Sequence, residues 1–367
     1  MSIVRTIAVK VAKREAIRQL RKRRKALAIA GGIGAGLVAA EVCRRLTLAD
    51  LTGDVAFITG SSRGLGFLLA REFARKGCKV VITARDTGEL ARARRDLERE
   101  GFEVLAVMCD VRDPADIERA VQRARERFGR IDILVNNAGV IQVGPVQSMT
   151  AQDFEEAMEV MFWGMLYPTL AVLPEMLERR RGRIVNITSI GGKVAVPHLL
   201  PYDCAKFAAV GLSEGLHAEL LRDGIRVTTI VPGLMRTGSF LNAFFKGRQD
   251  REYVWFSLGA TLPVISMDAE RAARQIVRAT RRGEAERVLS LPANMLARVH
   301  GVMPGVISTL LGIVNALMPR HPGGETAKAR GAELHEQAQS RVLSAITRMG
   351  LKAADRYHEK PGPAAAA

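Results

Sequence analysis

Cysteine is scarce in this chain of 367 residues: Cys43, Cys78, Cys109 and Cys204 are the full set. No two of them stand in a CxxC pair, and His198 and His217 have no partner at metal-ligand spacing. A thiolate or histidine metal site and a dense disulfide framework are therefore excluded, and a reducing cytoplasm is the simpler setting. Long uncharged apolar runs do not recur, so a polytopic membrane protein is excluded as well. Internal repeats are absent. With 48% hydrophobic and 25% charged residues the composition is neither disordered nor collagen-like. What remains is a globular chain long enough to bury a full core.

Acidic residues are also short, 38 against 55 Lys and Arg. The imbalance is local. Residues 1–25 hold ten Lys or Arg and one acid, Glu15, which is over half of the whole-chain surplus of 17. This arm abuts an apolar run over residues 26–43, which favours an anionic membrane surface over nucleic acid. The run contains four glycines and Glu41 and is shorter than the ~20 residues that cross a bilayer. The basic stretch is too long for an ordinary secretory leader. A single span with its basic end inside would deliver the rest of the chain outside. An anchor lying in the interface, or a shallow re-entrant hairpin, keeps the chain on the cytoplasmic side.

From Leu51 onward, short β-branched runs alternate with amphipathic stretches. The pattern predicts strands at 55–58, 79–83, 103–108, 131–136, 182–187, 226–231 and 287–289. It predicts helices at 63–76, 87–99, 113–127, 151–177 and 201–222. Strand and helix in alternation imply an α/β fold: a Rossmann-like, doubly wound parallel sheet with its ligand at the carboxyl ends of the strands. The expected organisation is an arm and anchor over 1–50, one catalytic domain over 51–292, and a helical extension with a polar tail over 293–367. Residues 295–318 are apolar, broken by Pro304, and read as a packing helix pair or a second membrane element.

Four motifs follow one another on this frame. Thr59-Gly60-Ser61-Ser62-Arg63-Gly64-Leu65-Gly66 succeeds the first strand and opens a helix. Its glycines let backbone amides approach a pyrophosphate. Asn136-Asn137-Ala138-Gly139 follows the fourth strand and Ser189 the fifth. Tyr202-Asp203-Cys204-Ala205-Lys206 lies thirteen residues beyond Ser189, and Pro232-Gly233 with Thr237 follows the sixth strand. Tyr202 and Lys206, four apart, share one helix face. A cation beside a phenol favours phenolate, so the Tyr202 pKa is expected to fall from about 10 toward working pH. Ser189 is placed to hydrogen-bond the same substrate oxygen. In this order and spacing, over about residues 52–292, the motifs resemble the short-chain dehydrogenase/reductase family.

That resemblance implies a nicotinamide cofactor, Tyr202 as acid/base supported by Ser189 and Lys206, and a dimer or tetramer. The implied cofactor contacts are Gly60, Ser62, Arg63, Gly64, Leu65, Gly66, Asp110, Val111, Asn137, Ala138, Gly139, Tyr202, Lys206, Pro232, Gly233 and Thr237. At the end of the second strand, Ala84 and Arg85 stand where an NAD-binding fold carries an acid, so Arg85 and Arg63 favour NADP(H). Asp86 is read as a helix cap. Where the family has an asparagine in its proton relay, this chain has Met161, whose thioether offers no equivalent donors. The apolar segment with Leu234, Met235, Phe240, Leu241, Phe244, Phe245, Tyr253, Val254, Trp255 and Phe256 is either packing or the wall of a lipophilic pocket. The reading is an oxidoreductase for a steroid, retinoid, ketoacyl lipid or long-chain carbonyl at a membrane reached through residues 1–45 and 295–318. A catalytically weak, cofactor-binding interaction protein is the alternative.

Overall fold

The computed structural model describes residue 36, residues 48–263, 265–321, 323, 327–337 and 341–360, the side chains of 341–346 excepted. The basic arm and, apart from Gly36, the apolar run beside it lie outside the described residues. Seven parallel strands form the central sheet: β1 Val55–Ile58, β2 Lys79–Ala84, β3 Val104–Met108, β4 Ile133–Asn136, β5 Gly182–Ile187, β6 Ile225–Pro232 and β7 Glu286–Leu289. Their spatial order is β7-β6-β5-β4-β1-β2-β3. The winding therefore reverses between β1 and β4, where a doubly wound sheet opens its crevice.

The sequence forms these strands because both faces are covered. β1 and β4 are buried at every position, which is why they read as unbroken apolar runs rather than alternating ones. Helices α1 Gly64–Ala74, α2 Thr87–Arg99, α3 Pro114–Phe128, α4 Ala151–Met158, α5 Gly164–Glu178 and α6 Leu200–Leu220 follow the early strands. The start of α2 is capped by Asp86, which accepts from the Glu89 amide, so Asp86 is a cap as its position suggested. Asp113 caps α3, with Pro114 in the first turn and left-handed Gly129 ending the helix. The expected single helix over 151–177 is instead broken by one wide π-turn, Glu159–Trp163, between α4 and α5. Gly164 resumes the helix because a side chain there would press on Val111.

α7 Gln249–Thr261 and α8 Ala269–Arg282 precede β7; α9 Leu291–Val302, α10 Pro304–Asn315, α11 Gly331–Gln337 and α12 Arg341–Arg356 follow it. Asp50–Ala367 forms one compact unit, so the region after Leu291 is not a separate body. A second apolar core joins Phe240, Leu241, Phe245, Tyr253 and Phe256 to Leu334 of α11 and Ala354 of α12. Most of the apolar segment after Pro232 is therefore covered by the chain's own C-terminal helices. The pair α9 and α10 is the opposite case. It is the helix pair the sequence suggested, broken at Pro304, but it does not pack: only Ala293 of α9 is buried and no residue of α10.

Candidate active site

The glycine loop lies at the winding reversal, between β1 and α1. Gly60 and Gly64 adopt positive φ, 60° and 57°, open to glycine and costly to other residues. A Cβ on Gly60 would stand 2.8 Å from the Ala138 Cα, and one on Gly66 would strike the Gly60 carbonyl. The loop and the Asn136–Gly139 turn are thus pressed together at backbone distance. Asn137 holds them there: its Nδ2 donates to the Thr59 and Gly60 carbonyls at 3.0 and 2.9 Å. The Thr59 hydroxyl accepts from the amides of Asn137 and Ala138. Asn137, expected among the cofactor contacts, sets the shape of the cradle with its side chain.

The charged residues of this half are wired to one another. Ser62 and Arg63 both donate to Glu89, at 2.9 Å each. Glu89 carried no signal in the sequence beyond its place in the first turn of α2. Asp110 is held by Arg112, a pairing that keeps its carboxyl below the usual range against the opposing effect of burial. Arg85 is exposed at the end of β2 and makes no ion pair among the described residues. An anionic group already lies against the helix start: the Glu359 carboxylate touches the position a Gly64 side chain would take. Glycine-tight backbone at a helix start and a carboxyl seated on it fit a dinucleotide phosphate site.

The other half is dry. α6 carries Lys206, which is buried, and Tyr202, which is partly exposed. The Lys206 Nζ donates to the Ile187 carbonyl at the end of β5, 2.9 Å away, and stands 5.8 Å from the centre of the Tyr202 ring. Burial pushes the phenol up to about 12, against a hydrogen bond to Ser189 that works the other way. Burial likewise brings the Lys206 ammonium down to about 8. The expected lowering of the Tyr202 pKa is therefore not what this arrangement produces: burial outweighs the Ser189 hydrogen bond. At neutral pH the pair is a phenol beside an ammonium. Ser189, at the end of β5, accepts from the Gly191 amide at 3.0 Å. Its neighbour across the turn is Asp203, which the sequence reading passed over. Asp203 accepts from the Val196 amide at 2.7 Å, its Oδ1 has no partner, and burial raises it to about 8.

Pro232 ends β6, Gly233 lies against Ser290, and the Thr237 hydroxyl accepts from the Ser239 amide. The profile of the short-chain dehydrogenases matches residues 54–244. The chain belongs to this family. Oxidoreductase UcpA of Escherichia coli is 42% identical over 191 residues, 52% of this chain and 72% of the relative. Among solved structures, a gluconate 5-dehydrogenase from Burkholderia cenocepacia in complex with NADP and tartrate has a TM-score of 0.59 at 28% identity, covering 67% of this chain and 96% of that one. An actinorhodin polyketide ketoreductase with NADPH has a TM-score of 0.56 at 29% identity, covering 65% and 95%.

Within this short-chain dehydrogenase the departure at Met161 has a clear location. Met161 sits on the π-turn, buried against Ala157 and Ala205, with Tyr202 and Val140 beside the same cluster. An apolar plug thus occupies the flank of the Tyr202–Lys206 turn. His198 also acquires a partner the sequence did not reveal. It adopts φ 65°, and its Nδ1 lies 2.8 Å from Glu252, which also accepts from the Trp255 indole at 2.6 Å.

Proposed function

We propose that this chain reduces a lipophilic ketone or aldehyde with NADPH, and that its resting protonation state suits that direction. The observation that carries the reading is the partly buried Tyr202 phenol, held protonated, at the edge of two apolar clusters. A bound nicotinamide supplies the hydride to the carbonyl carbon. Tyr202 gives its proton to the carbonyl oxygen as charge develops there, and the Ser189 hydroxyl hydrogen-bonds the same oxygen. The Lys206 ammonium steadies the phenolate that is left behind. The product is the alcohol, with one hydride and one proton gained.

NADP(H) is favoured by Arg85, exposed and without an ion pair among the described residues, and by Asp86, whose carboxylate is spent on the α2 amide rather than open to a ribose. The lipophilic substrate class is favoured by Ile141, Val196 and Trp255, which like Tyr202 are partly buried against the second core. NADPH oxidation with a panel of lipophilic ketones, run on wild type and Tyr202→Phe, tests the reading. Turnover by wild type and its loss in the variant are expected. Cofactor binding with no turnover in either protein would favour the cofactor-binding interaction protein, an alternative that the Met161 plug keeps in view.

We also propose that α9 and α10 rest in a membrane surface. Val302, Leu310, Ile313 and Leu317 are exposed, and residues 301–319 contain no charged side chain. α10 is exposed around nearly its whole circumference, whereas a protein partner covers one stripe. At twelve residues it is about 18 Å long, too short to span. Flotation with anionic vesicles should carry wild type upward, and Leu310→Glu with Ile313→Glu should leave it behind. Equal flotation of both proteins would remove this surface from consideration.

A further inference from the structure

The glycine loop is already occupied by the chain's own C-terminus. The Gly64 amide donates to the Tyr357 carbonyl at 2.8 Å. Glu359 is 5% exposed and lies between two groups: the Asn242 Nδ2 donates to its backbone carbonyl at 2.7 Å and to its carboxylate at 2.6 Å, and the Arg63 Nε stands 3.6 Å away. The carboxylate rests where a Gly64 side chain would project. His358 pins the segment by stacking on Phe67 with ring centres 4.5 Å apart, and its Nε2 lies 2.8 Å from Asp96. α12 leads into this strap across Gly238, beside Thr237, so closely that a Cβ on Gly238 would strike Ala354.

We propose that residues 357–359 form a strap that fills the anion position of the glycine loop, so that a dinucleotide binds only by displacing it. The proposal rests on reading residues 60–66 as the phosphate loop. Two facts distinguish a competitor from an inert brace. First, the Gly64 amide sits at the start of α1, among the donors a pyrophosphate uses there, and it is taken by a carbonyl. Second, Arg63 already faces two carboxylates, Glu89 and Glu359. A phosphate brought beside them would compete with the Glu359 carboxyl, which burial raises and Arg63, Asn242 and Arg330 lower, and would be repelled by the Glu89 carboxylate. Removing Glu359 from the loop leaves Arg63 with Glu89 alone and clears the position for the phosphate. The strap is attached to α12, which closes the second core, so opening it is a local event at the chain end rather than an unfolding of the sheet.

A closed strap lowers apparent affinity by the fraction of molecules that are open. If the strap is closed in about nine molecules of ten, freeing it tightens binding about tenfold. The experiment is a fluorescence titration of NADPH into the full chain, as wild type, Glu359→Gln and Glu359→Ala. Thermal melting verifies that each variant is folded. Amide hydrogen exchange is followed in the same samples. Both variants are expected to bind about tenfold more tightly than wild type. On adding NADPH to wild type, exchange should rise at residues 357–360 while it falls at 60–66. Unchanged or weakened binding in the two variants would overturn the strap while leaving the cofactor site in place, as would slower exchange of 357–360 on binding, the mark of a clamp closing over its ligand. Failure of all three folded proteins to bind NADPH or NADH would overturn the phosphate-loop reading, and the strap with it.

Discussion

The two halves of the site differ in partners more than in burial, which raises the Glu359 carboxyl in the first as it raises Tyr202 and Asp203 in the second. Around the glycine loop every buried ionic group has a partner of the other sign or a hydrogen bond: Glu89 with Arg63 and Ser62, Glu359 with Asn242 and Arg63. Around α6 the polar groups are dehydrated with few partners, and burial moves each toward its neutral form: Tyr202 up, Lys206 down, Asp203 up. In the first half, affinity for an anion depends on rearranging ion pairs. In the second, the availability of a proton is set by exclusion of water.

The sharpest way to break this contrast is to remove the acid from the dry half alone. Tyr202→Phe should lower kcat for carbonyl reduction by about 10²- to 10⁴-fold, the usual contribution of a positioned acid, and leave NADPH affinity unchanged. Steady-state kinetics beside a binding titration reads both. A comparable loss of affinity would mean that the halves are not separable.

Lys206 gives the next largest effect, and its sign can be worked out. Its folded pKa, about 8, lies below the 10.5 of an unburied lysine. Reduction should therefore decline as pH rises through about 8, by about tenfold per unit, as the ammonium beside the nascent phenolate is lost. Between about 8 and 10.5 the unfolded chain binds the extra proton, so this group makes the protein more stable as pH rises across that window. Rate and stability should thus move in opposite directions above pH 8. Lys206→Met should abolish both trends, measured by a pH-rate profile and by melting in the same buffers.

A smaller change tests the apolar plug. Met161→Asn puts an amide among Ala157, Ala205 and Tyr202. If polar relay is what the dry half lacks, kcat should rise a few-fold. Melting should fall, because a buried amide without full partners costs about 1–3 kcal/mol. A fall in both quantities would show that the site is tuned to the thioether.

How much of this was legible beforehand follows the same division. The strands could be read because burial on both faces leaves short runs rich in apolar residues, as at 55–58 and 182–187, where prediction and structure coincide. The order of Gly60, Asn137, Ser189 and Tyr202 along the chain encodes the reversal of winding, so their convergence was legible too. Three things were not. The π-turn at 159–163 leaves the helical period of its neighbours intact. Glu359 lies 295 positions after Gly64 in a polar tail, and nothing local marks such a pairing. The Tyr202 pKa was misjudged because spacing reveals the cation four residues on but not the degree of burial. The apolar segments at 240–256 and 295–318 read alike, yet only the first found helices to cover it.

Asp203 offers the finest test of the contrast, since it is an acid that behaves according to the dry rule. Its folded pKa of about 8 stands above the 3.8 of an exposed carboxyl. Between pH 4 and 8 the folded protein therefore binds a proton that the unfolded chain releases, and stability drains away as pH rises through that window. Asn cannot ionise, yet its amide oxygen can still accept from the Val196 amide as Asp203 does. Asp203→Asn should accordingly flatten the melting profile between pH 5 and 8 and place the variant a few °C above wild type at pH 8. It should change kcat by no more than about twofold, because at neutral pH the native side chain is already mostly uncharged. A wild-type profile that is flat from pH 5 to 8 would show that water or an ion reaches Asp203, and that the dry half is wetter than its packing indicates.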